Sequence, residues 1–392
     1  MLEMRILIAP DKFKGSLSAG DVADCIAAGL RDVLPDATIE VVPVADGGEG
    51  TAALIGEACG GEWITCPAHD ALGRAIDARY VCLPDRATAV IEMSAAAGIW
   101  RIAPDERDLL RANTSGVGEM MKDAAKRGAK EILIGLGGSA TNDGGFGMAR
   151  ALGFRFYGAE HPPLRSSGEA GEHELERPGD LNKLTRIFSP DASGNLTALS
   201  RQVCVFPKIS AAVDVRNPLL GPRGATHTFG RQKGGTPDEL EILETALKRL
   251  ADVVRRDLGS DFRDTPGAGA AGGLGFGLMS FCGAMVRPGF DLVAEMVGLE
   301  AAVRRADVVI TGEGSLDQQT LEGKAPAGVA RLARKMGKRV FAIVGCAADG
   351  GTPPELFDGI LVLAIPPIAR EESMARTAEL LQERARELAQ MM

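Results

Sequence analysis

Residues 4–44, "MRILIAPDKFKGSLSAGDVADCIAAGLRDVLPDATIEVVPV", decide the fold. Residues 4–9 (MRILIA) read as a buried strand. Ser18 then offers a helix N-cap with Asp21 three residues on, and Val22, Cys25, Ile26, Gly29, Leu30 and Val33 follow at the spacing of one helix face. Pro35 ends that helix, and 38–44 (TIEVVPV) is the next strand. Strand, helix and strand at this spacing make a βαβ unit, which favours a parallel sheet.

The C-terminal third repeats the pattern. Strands are expected at 307–311, 339–344 and 359–365, with a helix over 326–336 and a charged amphipathic helix over 370–392. The middle differs: 62–66, 76–83 and 88–93 are short strand-like runs broken by Pro, Gly and Asp, suited to antiparallel pairing. Residues 158–202 are polar and aperiodic, which predicts loops and an edge hairpin, and 237–258 returns to helical spacing. The expected class is therefore α/β with two α/β domains. A flavodoxin- or Rossmann-like domain with a parallel sheet takes both chain ends (1–60 plus 285–392). A domain with a mixed sheet (61–284) is inserted into it.

Composition narrows the function. The 392 residues are 45% apolar and 25% charged, as in globular proteins. A net charge of −9 argues against a nucleic-acid binder or a protein held on an anionic membrane. No run approaches the length of a membrane span, and the N-terminal apolar run is too short for a signal peptide. The seven cysteines show no CxxC pair or Cys/His cluster, so free thiols in a reducing compartment and a cytoplasmic address are expected.

Five loops carry candidate chemistry. In "ILIGLGGSATNDGG" (132–145), five of the eleven residues 135–145 are glycine. Gly135-x-Gly137-x-x-Ala140 partly fits the dinucleotide fingerprint, but position 155, where an acid would hold the ribose, is Arg. The alternative is a phosphate cradle made by Gly137, Gly138, Ser139, Thr141, Asn142 and Gly144, with Asn142 and Asp143 suited to Mg²⁺ or a hydroxyl. A plain strand-to-helix turn is the third reading. "VADGGEGT" (44–51) puts Asp46 and Glu49 at the mouth of a sheet, where paired carboxylates suit Mg²⁺ or proton abstraction. "VITGEGSLDQQTLEGK" (309–324) brings Glu313 and Asp317 just past a strand and Lys324 at a helix start, an inventory for phosphoryl transfer. Asp214 ends an apolar run in "AAVDVRNPLLGPRGA" (211–225), and Asp11, Lys12, Lys14 and Ser16 crowd the first βα turn. The match at Gly267, Gly269 and Gly272 follows no apolar strand and is not read as a dinucleotide site. The four histidines form no cluster, and His227 reads as structural.

Together "APDKFKGSLSA", "VADGGEGT", "IEMSAAAGI" (91–99), "LGGSATNDGG", "DVRNPLLG…GAT…FGRQKG" (214–234), "GAGAAGGLG" (267–275) and "TGEGSLDQQTLEGK" resemble the glycerate kinase type I family, in order along nearly the whole chain. The resemblance implies ATP-dependent phosphorylation of D-glycerate, giving 2-phosphoglycerate in bacterial relatives, with the active site between two α/β domains that close to exclude water. The chain departs from the family's usual residues at Lys12, Arg231 and Ser315, where Ser, Pro and Arg are usual. Either Lys12 or Arg231 supplies the charge missing at 315, or the substrate differs.

The resulting expectation is a kinase with ATP and Mg²⁺ as cofactors. The phosphates lie over the glycine-rich loop, and Asp46, Glu49 or Asp317 holds the metal. Lys14 and Lys324 neutralise phosphate or carboxylate, and Asp214 orients or deprotonates the attacking hydroxyl. The partner is a small-molecule substrate, with no nucleic acid and no membrane; a homo-oligomer is left open. An NAD(P)-dependent oxidoreductase of a small hydroxy acid, a kinase of a related hydroxy acid and a non-catalytic sensor are the alternatives.

Overall fold

The computed structural model describes residues 4–85, 87–159, 172–190, 196–197, 207–316, 324–347, 356–364 and 370–392. The chain divides into two compact units, Met1–Cys59 with Pro288–Met392, and Gly60–Arg287.

The first unit is built on a parallel sheet whose strands run in the order Gly359–Val362, Arg339–Ala347, Val308–Leu316, Arg5–Ile8, Thr38–Val41. Successive residues of the first strand face opposite sides, and both sides are covered, which is why "RILI" is apolar throughout. Ile6 and Ile8 pack with Ile26, Leu30, Leu381 and Leu388 on one face. Leu7 packs with Val303, Val329 and Ala333 on the other. The helix Ala19–Val33 starts as its sequence predicts, with the Ser18 hydroxyl accepting from the Asp21 amide. The C-terminal helix does not run unbroken. It forms Arg370–Ala375 and Thr377–Met391, and at the break Ser16 Oγ lies within hydrogen-bond distance of Thr377 Oγ1 (2.7 Å) and of the Met374 carbonyl (3.0 Å).

The second unit holds a six-stranded mixed sheet, in the order Met285–Pro288, Lys208–Val213, Glu131–Gly135, Thr88–Glu92, Ala75–Cys82, Glu62–His69. The three strands Lys208–Val213, Glu131–Gly135 and Thr88–Glu92 are mutually parallel, and the hairpin Glu62–Cys82 adds antiparallel to them. The described part of 158–202 corrects the reading of loops and an edge hairpin. Arg155–Ala159, Glu172–Glu174, Leu184–Pro190 and Leu196–Thr197 form an antiparallel sheet of their own. Its anchor is Phe156, which meets Phe146 edge-on at 4.8 Å and Phe281 at 5.8 Å. Phe281 is remote in sequence, so local pattern could not reveal this anchor.

The two helices that bring the chain ends together touch at Gly29. A Cβ there would lie 2.3 Å from the Gln382 carbonyl oxygen and 2.8 Å from Ala385 Cβ. Gly29→Leu should therefore push Ala19–Val33 off Thr377–Met391 and cost roughly 1–3 kcal/mol of stability. Urea unfolding checks this; an unchanged midpoint would mean that the close approach is not needed.

Candidate active site

In the first unit the backbone keeps pairing past the end of the first strand. The Ala9 amide donates to the Ile310 carbonyl (2.7 Å), the Asp11 amide to the Gly312 carbonyl (2.8 Å) and Thr311 Oγ1 to the Ala9 carbonyl (2.8 Å). Strand order reverses here: the chain leaves Arg5–Ile8 towards Thr38–Val41 on one side, and Val308–Leu316 continues to Arg339–Ala347 on the other. Ligands of open α/β sheets bind outside the carboxyl ends of the strands at such a switch point.

A cavity of about 300 Å³ opens there, lined by Asp11, Lys12, Lys14, Asp46, Glu313 and Lys324, with Ser315 and Cys346 on its wall. Asp11 is 7% exposed, and its carboxylate accepts from the Lys12 amide at 2.7 Å. Burial pushes the Asp11 carboxyl up to about 7, the nearby charges of Asp46 and Glu313 push the same way, and Lys12 opposes them. Glu313 corrects the sequence reading in one respect: it stands inside the strand rather than past it, and is buried. The glycines of "TGEGS" look like a loop, yet they let two backbones close up, since a Cβ on Gly312 would lie 2.3 Å from the Ile343 carbonyl oxygen. The strand thus stays paired as far as Leu316 with Ala347. Asp317 lies outside the described residues.

Asp46 and Glu49, expected to act as a pair, are parted. Asp46 lines the polar cavity, whereas Glu49 lines a second cavity of about 440 Å³ in the same unit. Asp11 and Lys12 line both. Of the two cations proposed to stand in for arginine at 315, Lys12 shares a cavity with Ser315, while Arg231 is an exposed residue of the second unit.

In the second unit the carboxyl ends of the parallel strands carry three motifs side by side. Met93 and Ser94 follow one strand, the glycine-rich loop follows the next, and Asp214 follows the third. Register pairs Ala212 with Gly135, so Asp214, which is exposed, leaves the sheet level with Gly137. The loop is tied to the first motif by the Ile99 amide on the Gly138 carbonyl (2.9 Å) and the Ala140 amide on the Ala97 carbonyl (2.9 Å).

The loop divides in two. Gly138 is exposed and Gly137 half-buried, and Ser139 is 8% exposed, whereas Thr141, Asn142 and Gly144 are enclosed. The glycines of the enclosed half serve backbone packing. The Gly144 amide donates to the Gly272 carbonyl (3.0 Å), and a Cβ on Gly145 would lie 2.8 Å from Gly277 Cα. The facing segment inside Ala270–Cys282 turns through three left-handed residues, Ala271, Gly272 and Gly273, and a Cβ on Gly272 would sit 1.9 Å from the Thr141 carbonyl oxygen. Asp143 is committed to the fold as well. Its carboxylate accepts from the Thr114 amide and hydroxyl (both 2.8 Å) and from the Gly145 (3.1 Å) and Gly147 (2.9 Å) amides, anchoring two helix starts. Burial raises its pKa and those donors oppose the rise.

Lys233, which follows Arg231 and Gln232 and precedes two glycines, is a residue to which the sequence reading gives no role. Its buried ammonium donates to the Thr141 carbonyl at 2.7 Å, and Asn142 Nδ2 donates to Thr226 Oγ1 at 3.0 Å. The "FGRQKG" segment is thereby clamped onto the glycine-rich loop.

Known proteins are similar to this chain in sequence and fold over most of their length. The profile of the Glycerate kinase family matches residues 6–392. The glycerate kinase of Bacillus subtilis (strain 168) is 41% identical over 388 residues, 98% of this chain and 97% of that protein. The glycerate 2-kinase of Escherichia coli (strain K12) is 42% identical over 350 residues, 88% of this chain and 86% of that protein. A crystal structure assigned as glycerate kinase 2 from Salmonella typhimurium LT2 superposes with a TM-score of 0.83 at 39% identity, covering 99% of this chain and 98% of that one.

Lys233 generates a test. Desolvation lowers its pKa to about 7 from the ordinary 10.5, with Asp143 opposing. From about pH 7 to 10.5 the unfolded chain holds a proton that the folded protein has lost, so stability at this site rises with pH; below 7 the penalty is constant. Unfolding midpoints of wild type and Lys233→Met, compared across pH 6–10 (about the window of that shift), should show wild type gaining on the variant as pH rises. Parallel curves would contradict the buried ammonium.

Proposed function

The chain belongs to the glycerate kinase family, and from this we propose that it transfers the γ-phosphoryl group of Mg-ATP to the C2 hydroxyl of D-glycerate, giving 2-phosphoglycerate. The polar cavity of the first unit carries the reading: three lysines and three carboxylates around about 300 Å³ at a topological switch point. Phosphoryl transfer asks the protein mainly for position and charge rather than for a covalent nucleophile.

Lys14 and Lys324 supply positive charge for phosphate oxygens and the glycerate carboxylate. In the second unit the open part of the glycine-rich loop, Gly137 and Gly138, presents backbone to phosphate oxygens. Asp214, at the same sheet edge, orients or deprotonates the attacking hydroxyl.

The donor set fits Mg²⁺ as kinases hold it. Among the described residues no three His, Cys, Asp or Glu side chains form a metal cage. Mg²⁺ at such sites takes one or two carboxylates and completes its shell with phosphate oxygens and water. Asp46, in the polar cavity, is the residue that would hold it, with Asp317 and Glu49 as the further candidates. Bound there, the ion would offset negative charge on the phosphate oxygens.

A phosphorus NMR time course with Mg-ATP and D-glycerate should show ADP with a phosphomonoester on C2. An ester on C3 would correct the regiochemistry, and intact ATP would remove glycerate as substrate. Asp214→Asn should lower turnover by about two orders of magnitude or more, as loss of a general base does; a near-normal rate would take Asp214 out of that role.

A further inference from the structure

Apart from Glu49, a further candidate for the metal, the second cavity of the first unit has no part in the reaction so far. It is about 440 Å³, larger than the polar cavity and far larger than glycerate needs. Its walls are mostly aliphatic, from Val41, Val44, Ala53, Leu54, Ala58 and Val297. Val41 lies on the sheet's edge strand and is 36% exposed.

The apolar floor has a backbone cause. The amides of Val42 and Val44 are spent on the Ile8 and Pro10 carbonyls (both 2.9 Å), and Pro43 between them has no N–H. The run leaving the edge strand thus turns side chains rather than donors into the cleft. Polar groups stand at its margin: Glu49 and Glu57 among the lining residues, and Lys12 and Asp11 where it adjoins the polar cavity. The Lys12 ammonium donates to the Glu49 carbonyl, tying the two loops that frame this junction.

We propose that this cleft binds the nucleoside end of the phosphoryl donor, with the purine against the aliphatic wall and the ribose hydroxyls towards Glu49. The inference rests on the phosphotransfer reading above. An occupant suits the cleft if it is apolar at one end, can hydrogen-bond to a carboxylate, and is anionic where it passes Lys12. A nucleotide meets all three demands, and sites of this volume with few, placed polar groups are the usual form of a small-molecule pocket. The carboxylates of Glu49 and Glu57 also set direction. They repel a phosphate chain, so the triphosphate leaves past Lys12 towards the cavity that holds Lys14 and Lys324.

Gly20 gives a clean test. It lines the cleft in the first turn of Ala19–Val33, and a Cβ there would meet only Ser18 Oγ, at 3.9 Å. Gly20→Leu would fill the cleft while improving helix propensity, so the fold should survive; Gly20→Ala is the mild control. Calorimetric titration of the full chain with Mg-ADP, and separately with inorganic tripolyphosphate, reads the two ends of the ligand. In Gly20→Leu, ADP affinity should fall about tenfold or more while tripolyphosphate affinity holds; Gly20→Ala should stay near wild type. Wild-type ADP affinity in a folded Gly20→Leu protein would overturn the nucleoside cleft alone. Equal losses for ADP and tripolyphosphate would overturn it too, by showing a general distortion. A wild-type protein that binds no ADP and transfers no phosphoryl group would overturn the phosphotransfer reading itself.

Discussion

The parallel pairing of Arg5–Ile8 with Val308–Leu316 is the contact on which the first unit depends. It joins residues some three hundred positions apart, Ile6 opposite Val308 and Ile8 opposite Ile310, and it is sealed at its entry by Asp307, whose carboxylate accepts the Arg5 amide at 2.9 Å. Closing so long a loop is entropically costly, so the pairing persists because both faces of the strands are buried at once. Its direct product is the switch point, where Asp11 and Glu313 are held beside each other by main-chain bonds rather than by side-chain choice.

Charge at that edge follows from the same geometry. Carboxylates this enclosed are unfavourable unless something cationic faces them. Lys12 does so for Asp11, which still keeps a pKa near 7 because burial and the neighbouring carboxylates dominate. Such a site favours an added cation and an anionic ligand together.

In the second unit the corresponding constraint is steric. Two glycine-rich segments far apart in sequence press backbone on backbone, 141–145 against 272–277, with no room for a Cβ at Gly272 or Gly145. The tight turn, the least eventful reading of the glycine-rich loop, accounts for its enclosed half. Gly137 and Gly138 remain open to solvent. Lys233 and Asp143 are spent on holding this architecture, which is why charged residues so close to the loop are absent from its surface.

Much was legible in the sequence, for a local reason. The βαβ start, the Ser18 cap, the antiparallel hairpin Glu62–Cys82 and the helix Pro237–Leu258 rest on periodicity and capping that neighbouring residues supply. So do the loops at strand ends, because a parallel sheet exposes its carboxyl edge wherever a strand stops. The long motifs likewise marked the family, since their composition survives without any knowledge of contacts. Tertiary structure alone decided that Glu313 sits within a strand, that Asp46 and Glu49 part into different cavities, that Thr141 and Asn142 are enclosed, and that Lys233 is buried. For Glu313, Thr141 and Lys233 the cause is a partner remote in sequence: Ile343 beside Gly312, Gly272 against Thr141, and Thr141 as the acceptor for Lys233. Local chemistry sets which groups a loop can offer, and long-range packing sets which of them reach solvent.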